Sequence, residues 1–292
     1  MASGFGPSKQ VRCVAAFSAG SCRRRAVNAK SGRKPQLAGI LSLVLDVQIF
    51  ALAIPAVIFA GVSKGGFGSG AAFAASSILA LVFEPGVAIG VMLPLLLVMD
   101  VTALKGFWRK WDWALSLPII VGAIPGVVMG AVLYKATNPD VFRFLIGVIS
   151  ILFVFWQIGN RVGWITRRAK PFSRSGGLLA GVTGGFTSFV SHAGGPPVAV
   201  YLLSHPVTKT TYQASTVLIF WIVNLAKLVP YSMVGIFSRE TLLADVYLFP
   251  FAIFGAWLGI KAHERIPERL FFDLTYALLL FTGSKLIFDS LT

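Results

Sequence analysis

Seven stretches of the chain are apolar for about twenty residues each: Leu37–Val62, Gly86–Leu104, Ala114–Tyr134, Val141–Gly159, Gln213–Val234, Leu242–Ala262 and Leu270–Leu291. A helix of about twenty apolar residues crosses the ~30 Å hydrocarbon layer of a bilayer. Of the 292 residues, 56% are hydrophobic and only 13% charged, about half the charged fraction of a soluble domain. A membrane β-barrel would show short segments of alternating polarity, which are not present. The chain therefore reads as an all-α polytopic membrane protein.

The formal net charge of +15 invites a nucleic-acid reading, but the placement of the charges argues against it. Lysine and arginine lie in the N-terminal tail and in short loops between apolar runs, where orientation signals belong. Residues 1–36 carry eight basic side chains (Lys9, Arg12, Arg23, Arg24, Arg25, Lys30, Arg33, Lys34) and no acid. This tail is also rich in Ser, Ala and Gly, and reads as a disordered or targeting segment. The expected location is the inner cell membrane, or an organelle membrane if the tail is a transit peptide. Both cysteines, Cys13 and Cys22, fall in the tail, so no disulfide or thiolate metal site is expected in the membrane body. No metal, cofactor or nucleic-acid partner is expected; the bilayer and a small solute are, and a homo-oligomer is left open.

The chain repeats itself. "AGVSKGGF" (60–67) aligns with "AGVTGGF" (180–186), and "LVMDVTALKGF" (97–107) with "WIVNLAKLVPY" (221–231), which sets Asp100 opposite Asn224. "IPGVVMG" (124–130) then matches "IFGAWLG" (253–259), and "NPDVFRF" (138–144) matches "IPERLFF" (266–272). Four matches in one order indicate duplication. The organisation expected is a first membrane repeat (37–159), a basic linker (160–175) and a second repeat (176–292). If each Gly-rich segment enters and leaves on one side, every half has three crossings, and the halves are inverted. Loops 105–113, 160–175 and 261–269, the last with Lys261, Arg265 and Arg269, then share the cytoplasmic side, while 135–140 and 235–241 each carry one basic and one acidic residue. A parallel arrangement would put 261–269 outside, against the positive-inside rule. The expectation is two inverted repeats, each a broken, re-entrant helix pair plus three transmembrane helices. The basic tail sits awkwardly with it, because this arrangement puts the chain start outside. An extra crossing over Leu37–Ile54, poor because of Asp46 and Gln48, or cleavage of the tail would resolve that.

The breaks carry the candidate chemistry. "FAGVSKGGFGSG" (59–70) has five glycines and a lysine inside an apolar run, and "LAGVTGGFTSFVSHAGGPP" (179–197) returns the pattern about 120 residues later. Irregular backbone at membrane depth survives only beside protein or a water-filled cavity, and matched breaks in two repeats point to a transporter's binding site. Half-helices are expected over Ala71–Val82 and Val198–Ser204, with N-termini suited to an anion. The bland alternative is that the glycines only let helices pack closely. Candidate substrate-binding residues are Ser63, Lys64, Gly65, Gly66, Gly68, Ser188, His192, Gly194, Gly195, Asn224 and Lys227. Asp100 and His192 are candidates for proton or charge coupling. Lys64 costs about 3 kcal/mol or more at mid-depth; it either pairs with an anion or snorkels to the interface, and Asp100 either serves as its counter-ion or caps a helix end. Lys227, one turn beyond Asn224 on the same face, has the same two readings. His192 titrates near neutrality, or is held by loop carbonyls.

At these motifs the sequence resembles the TauE/SafE family of sulfite exporters. The likeness extends from "GVSKGGFGSG" and "FTSFVSHAGGPPVAVYLL" through "LPLLLVMD", "KWDW", "KTTY", "VNLAKLVPY" and "LGIKAHERIPERLFF", about residues 50–290. One departure is Ser77, where the family's first motif usually has a proline. The resemblance implies an integral-membrane carrier that exports small sulfur-containing oxyanions such as sulfite or organosulfonates. An inside-negative potential drives anions outward by roughly 2.3 kcal/mol per charge per 100 mV, so a secondary carrier using that potential or a proton gradient suffices. No Walker-type nucleotide loop occurs, and no enzyme is expected. An anion channel is the nearer rival. An intramembrane hydrolase built on Ser188 or Ser191 with His192 lacks a nucleophile elbow, and a membrane scaffold would need no paired breaks.

Overall fold

The computed structural model describes residues 47–67, 72–163, 173–262 and 268–292. The basic tail with its two cysteines, the first ten residues of the Leu37–Val62 run, Gly68 and the centre of the 160–175 linker lie outside the described residues, as do residues 263–267 with Arg265. Among the described residues the chain is wholly helical, with ten α-helices and no strand. Helix α1 (Val47–Val62) runs into a π-turn at Ser63–Phe67, followed by a short α2 (Phe73–Leu79). Three long helices come next: α3 (Pro85–Gly106), α4 (Trp113–Ala136) and α5 (Pro139–Val162). The second half repeats the order with α6 (Arg174–Ser191), α7 (Gly195–Leu202), α8 (Lys209–Met233), α9 (Arg239–Ala262) and α10 (Glu268–Leu291).

Seven segments are long and apolar enough to cross a membrane: Phe50–Phe67, Pro85–Gly106, Trp113–Ala136, Pro139–Val162, Lys209–Met233, Thr241–Ala262 and Phe272–Leu291. They coincide with the seven apolar runs to within a few residues, except that the first begins thirteen residues later, at Phe50 rather than Leu37, in the described part of its run. Their ends are set by local chemistry. Asp112 accepts a hydrogen bond from Leu115 N at 3.1 Å, and Asn138 one from Val141 N at 2.9 Å, each satisfying an N–H that the helix start leaves unpaired. Pro85 and Pro139 occupy first-turn positions, where a missing N–H costs nothing. Helix α5 stops at Gly163, whose φ of +82° ends it in the left-handed region.

The two halves interlock. Helix α4 packs along α6, and its repeat mate α9 packs along α1 and the π-turn. Helix α3 meets α9, and α8 meets α4; α5 pairs with α10, and α3 with α8. Small residues permit the closest of these approaches. A methyl group on Gly126 of α4 would sit 2.1 Å from the Val182 carbonyl oxygen of α6, so only glycine fits there. Large apolar side chains that lack a protein neighbour, such as Val132, Val246 and Phe281, point outward, as lipid contact requires.

The two short helices differ in their bounds from the sequence reading. Helix α2 spans Phe73–Leu79 where the sequence reading has Ala71–Val82: Leu81 N and Val82 N bond only three residues back, to Ile78 O and Leu79 O, and the chain leaves helical geometry at Glu84 before Pro85, while Ala71 lies outside the described residues. Helix α7 begins at Gly195, three residues before Val198, since Pro196 and Pro197 enter its first turn. It ends at Leu202, two residues before Ser204, where Leu203 N and Ser204 N close the last turn onto Ala199 O and Tyr201 O.

Candidate functional site

The second Gly-rich segment is broken at one place. Helix α6 ends at Ser191, and His192 adopts φ +58°, a left-handed conformation that non-glycine residues seldom take. His192 N and Ala193 N fold back to Ser188 O and Thr187 O, closing the helix end. The chain passes through Gly194 and starts α7. Prolines at its first turn carry no N–H, so Gly194 and Gly195 supply the N–H donors of that helix start. Gly194 is also hemmed in: a methyl group there would lie 2.6 Å from Gly184 O and 2.7 Å from the Phe220 ring.

The first segment behaves differently. "AGVSKGGF" is one residue longer than its mate "AGVTGGF". Helix α1 takes up the surplus in the Ser63–Phe67 π-turn, the usual way a helix absorbs one extra residue. Gly65 and Gly66 lie against α9, where methyl groups would fall 2.2 Å from Ala256 O and 2.6 Å from Gly259 O. These two glycines thus let the π-turn seat on α9, and Lys64 between them and Ser63 is directed inward.

Lys64 and Asp100 form an ion pair at 2.5 Å, with side chains 4% and 0% exposed. The second carboxylate oxygen of Asp100 accepts from Asn224 Nδ2 at 2.7 Å. The two residues that the repeat alignment sets opposite each other are therefore in direct contact where α3 crosses α8. Gln213 Nε2 donates to the Lys64 carbonyl at 2.9 Å, and the Lys64 ammonium lies 5.3 Å from the centre of the Phe220 ring.

One turn beyond Asn224, Lys227 is completely buried. Its ammonium reaches Ser188 O and Ser188 Oγ, both at 3.1 Å, and His192 Nδ1 at 2.8 Å. His192 Nε2 is 3.1 Å from the Ile89 carbonyl of α3. A carbonyl only accepts, so Nε2 carries the hydrogen and Nδ1 is free to accept from Lys227. The three protons of an ammonium thus meet three acceptors. Tyr231 closes this side, donating to Phe189 O at 2.8 Å.

Neither lysine snorkels, and His192 is held by α3 and Lys227 rather than by carbonyls of its own loop. Lys64, Asp100 and Asn224 form one buried set of contacts, and Lys227, Ser188 and His192 a second, one turn further along α8; each draws on both halves or on two helices of the fold. Ser63 is buried beside it, Gly65 and Gly66 face α9, and Gly68 lies outside the described residues. Sequence reasoning missed Gln213, the Ile89 carbonyl, Phe220 and Tyr231. Gln213 had a signal, since an amide inside an apolar run needs a buried partner; the Ile89 carbonyl had none.

The family model of the sulfite exporter TauE/SafE matches residues 53–286. The chain belongs to the TauE/SafE family. No curated protein and no solved structure matches it. As a TauE/SafE member it is a multi-pass membrane transporter, and the resemblance carried by the two Gly-rich motifs holds over the whole membrane body.

The charge balance of the cluster matters for a transporter. Two ammonium groups and one carboxylate meet there, and His192 is neutral in the tautomer its partners select. Asp100 is committed to Lys64 and Asn224, so Lys227 is held by neutral acceptors. A buried charge costs several kcal/mol unless it is compensated. An oxyanion is the chemical species that would supply the missing charge and accept from several donors at once.

Proposed function

We propose that this TauE/SafE protein is a secondary carrier that exports small sulfur-containing oxyanions, sulfite or organosulfonates, and binds them at the Lys64–Lys227 cluster. The observation that carries this reading is the meeting of two buried lysines with a single carboxylate, between elements contributed by both halves. Asn224 and Ser188 supply further polar contacts, and Gly194 and Gly195 offer N–H groups at the start of α7. Asp100 and His192 are the groups through which charge or protons would be adjusted as the anion enters.

The reading includes inverted halves with re-entrant broken segments. Its support is helix direction: the start of α3 at Gly86 lies by Tyr134 near the end of α4, so these two run opposite ways, whereas α9, the mate of α4, runs the same way as α3, with Gly90 facing Thr241 and Gly106 facing Ile260. Rocking of one half on the other would open the closed cluster to one side at a time. The completely buried Asp100 and Lys227 favour such an occluding carrier over an open channel. A membrane potential drives each exported negative charge by roughly 2.3 kcal/mol per 100 mV, and the membrane is the cell's inner membrane or that of an organelle.

Proteoliposomes loaded with sulfite, sulfoacetate, thiosulfate or sulfate test the reading. Saturable efflux of at least one of the sulfur anions, accelerated by an inside-negative potential, is expected. Efflux no faster than from empty liposomes for all four would defeat it.

A further inference from the structure

Outside the central cluster, one buried titratable group among the described residues has no hydrogen-bond partner there. Asp245 lies in the second turn of α9, is 5% exposed, and neither carboxylate oxygen has a hydrogen-bond partner among the described residues. An ionised carboxylate so placed would cost several kcal/mol, so the group rests as the neutral acid.

Among the described residues the surroundings supply no compensating cation. Helix α9 packs against α1, α3 and the π-turn. Helix α1 has no charged residue. On α3, Gly90 faces Thr241 and Gly106 faces Ile260, so α3 and α9 run in the same direction and Asp245 lies about one turn past Gly90. The charged residues of α3, Asp100 and Lys105, fall further along, and its N-cap Glu84 precedes Gly90 by more than a turn. Lys64 of the π-turn is paired with Asp100. On α9 itself, Arg239, Glu240 and Lys261 lie more than a turn away in sequence, and Tyr247 stacks edge-on against Phe50.

The fold does not demand an acid at this position. The match of 124–130 with 253–259 sets Ser116 of α4 opposite Asp245. Ser116 is also buried, and its hydroxyl is satisfied by Asp112 O at 2.6 Å. The first half fills the site with a small, paired hydroxyl, whereas the second half holds an unpaired carboxyl.

Helix α9 is also the body on which the π-turn bearing Lys64 rests, through Gly65 and Gly66. Ionising Asp245 needs water between α9 and its neighbours, and that separation moves the seat of Lys64. We propose that Asp245 is a proton-binding site of the carrier, protonated while α9 is packed on α1 and α3 and releasing its proton to water when they part, so that one proton is bound and released for each anion moved. This rests on the transport reading above.

Two measurements on the full chain test it. In lipid nanodiscs, infrared spectroscopy at about pH 7, where exposed carboxylates are ionised, should show the carbonyl band of an un-ionised acid that Asp245→Asn removes and Asp245→Glu shifts. A spectrum identical in wild type and Asp245→Asn overturns the proposal. In proteoliposomes the probe is sulfoacetate, both of whose acid groups are ionised at neutral pH. Asp245→Asn should keep sulfoacetate counterflow within about twofold while proton movement per anion falls on the order of tenfold or more, and Asp245→Glu should restore it. Unchanged proton movement in Asp245→Asn, or coupling that follows sodium instead, overturns the proposal. Absence of sulfoacetate flux in the wild type removes the coupling claim together with the organosulfonate reading, and the infrared band then decides whether the acid is protonated.

Discussion

Replacing Lys227 by methionine separates the electrostatic role of this lysine from its packing. Methionine keeps an unbranched side chain of similar length and removes the charge. If an anion sits within about 4 Å of the Lys227 ammonium, Coulomb's law at an effective dielectric of about 20 gives about 4 kcal/mol of attraction. Its loss should weaken sulfite binding on the order of a thousandfold. The same change strips a donor from Ser188 O, Ser188 Oγ and His192 Nδ1, which sit 2.8–3.1 Å away. Leaving a buried acceptor unsatisfied costs about 1–3 kcal/mol, so the variant should also melt earlier. The two effects are read separately: isothermal titration of sulfite into detergent-purified protein gives affinity, and thermal unfolding gives stability. A variant that unfolds more easily yet binds sulfite within about threefold of wild type would show that Lys227 is a structural strut, and would refute the reasoning.

Two further outcomes follow from the packing and the loop charges. Gly126→Ala should lower stability by about 1–3 kcal/mol through overpacking, measured by thermal unfolding, because its methyl group would press on Val182 O; an unchanged melting temperature would mean that α4 and α6 part without cost. A cysteine at Ser173, with Cys13 and Cys22 replaced, should react with an impermeant maleimide only from the cytoplasmic side, and labelling from outside would reverse the proposed orientation.

Much of this molecule is legible in its sequence because bilayer physics leaves few solutions. Apolar runs of fixed length must be helices, and they are. The ion pair of Lys64 with Asp100 is foreshadowed by the cost of either charge alone in an apolar run. The π-turn is foreshadowed by a one-residue difference between two repeat motifs, although only the structure reveals that the helix widens over Ser63–Phe67. In the sequence Gly65 and Gly66 suggest backbone freed for a ligand; that they also lie against α9 is not legible there, because a stretch of sequence does not say which helix will pack on it. An amide in an apolar run announces that Gln213 needs a buried partner, but that the partner is a carbonyl 149 residues away is a tertiary fact with no local pattern. Asp245 escaped notice because an acid four residues inside a span reads as a helix-end charge, and only its burial reveals that it has no partner.

The central claim is that an oxyanion sits between the two buried lysines, one from each half. Selenite is a sulfite analogue whose selenium can be located by anomalous scattering in crystals of the full chain. The account predicts an anomalous peak within hydrogen-bonding range of the Lys227 ammonium, beside the Lys64–Asp100 pair, that disappears in Lys227→Met. Selenite bound elsewhere in the membrane body, with the lysine cluster still closed on itself, would contradict it.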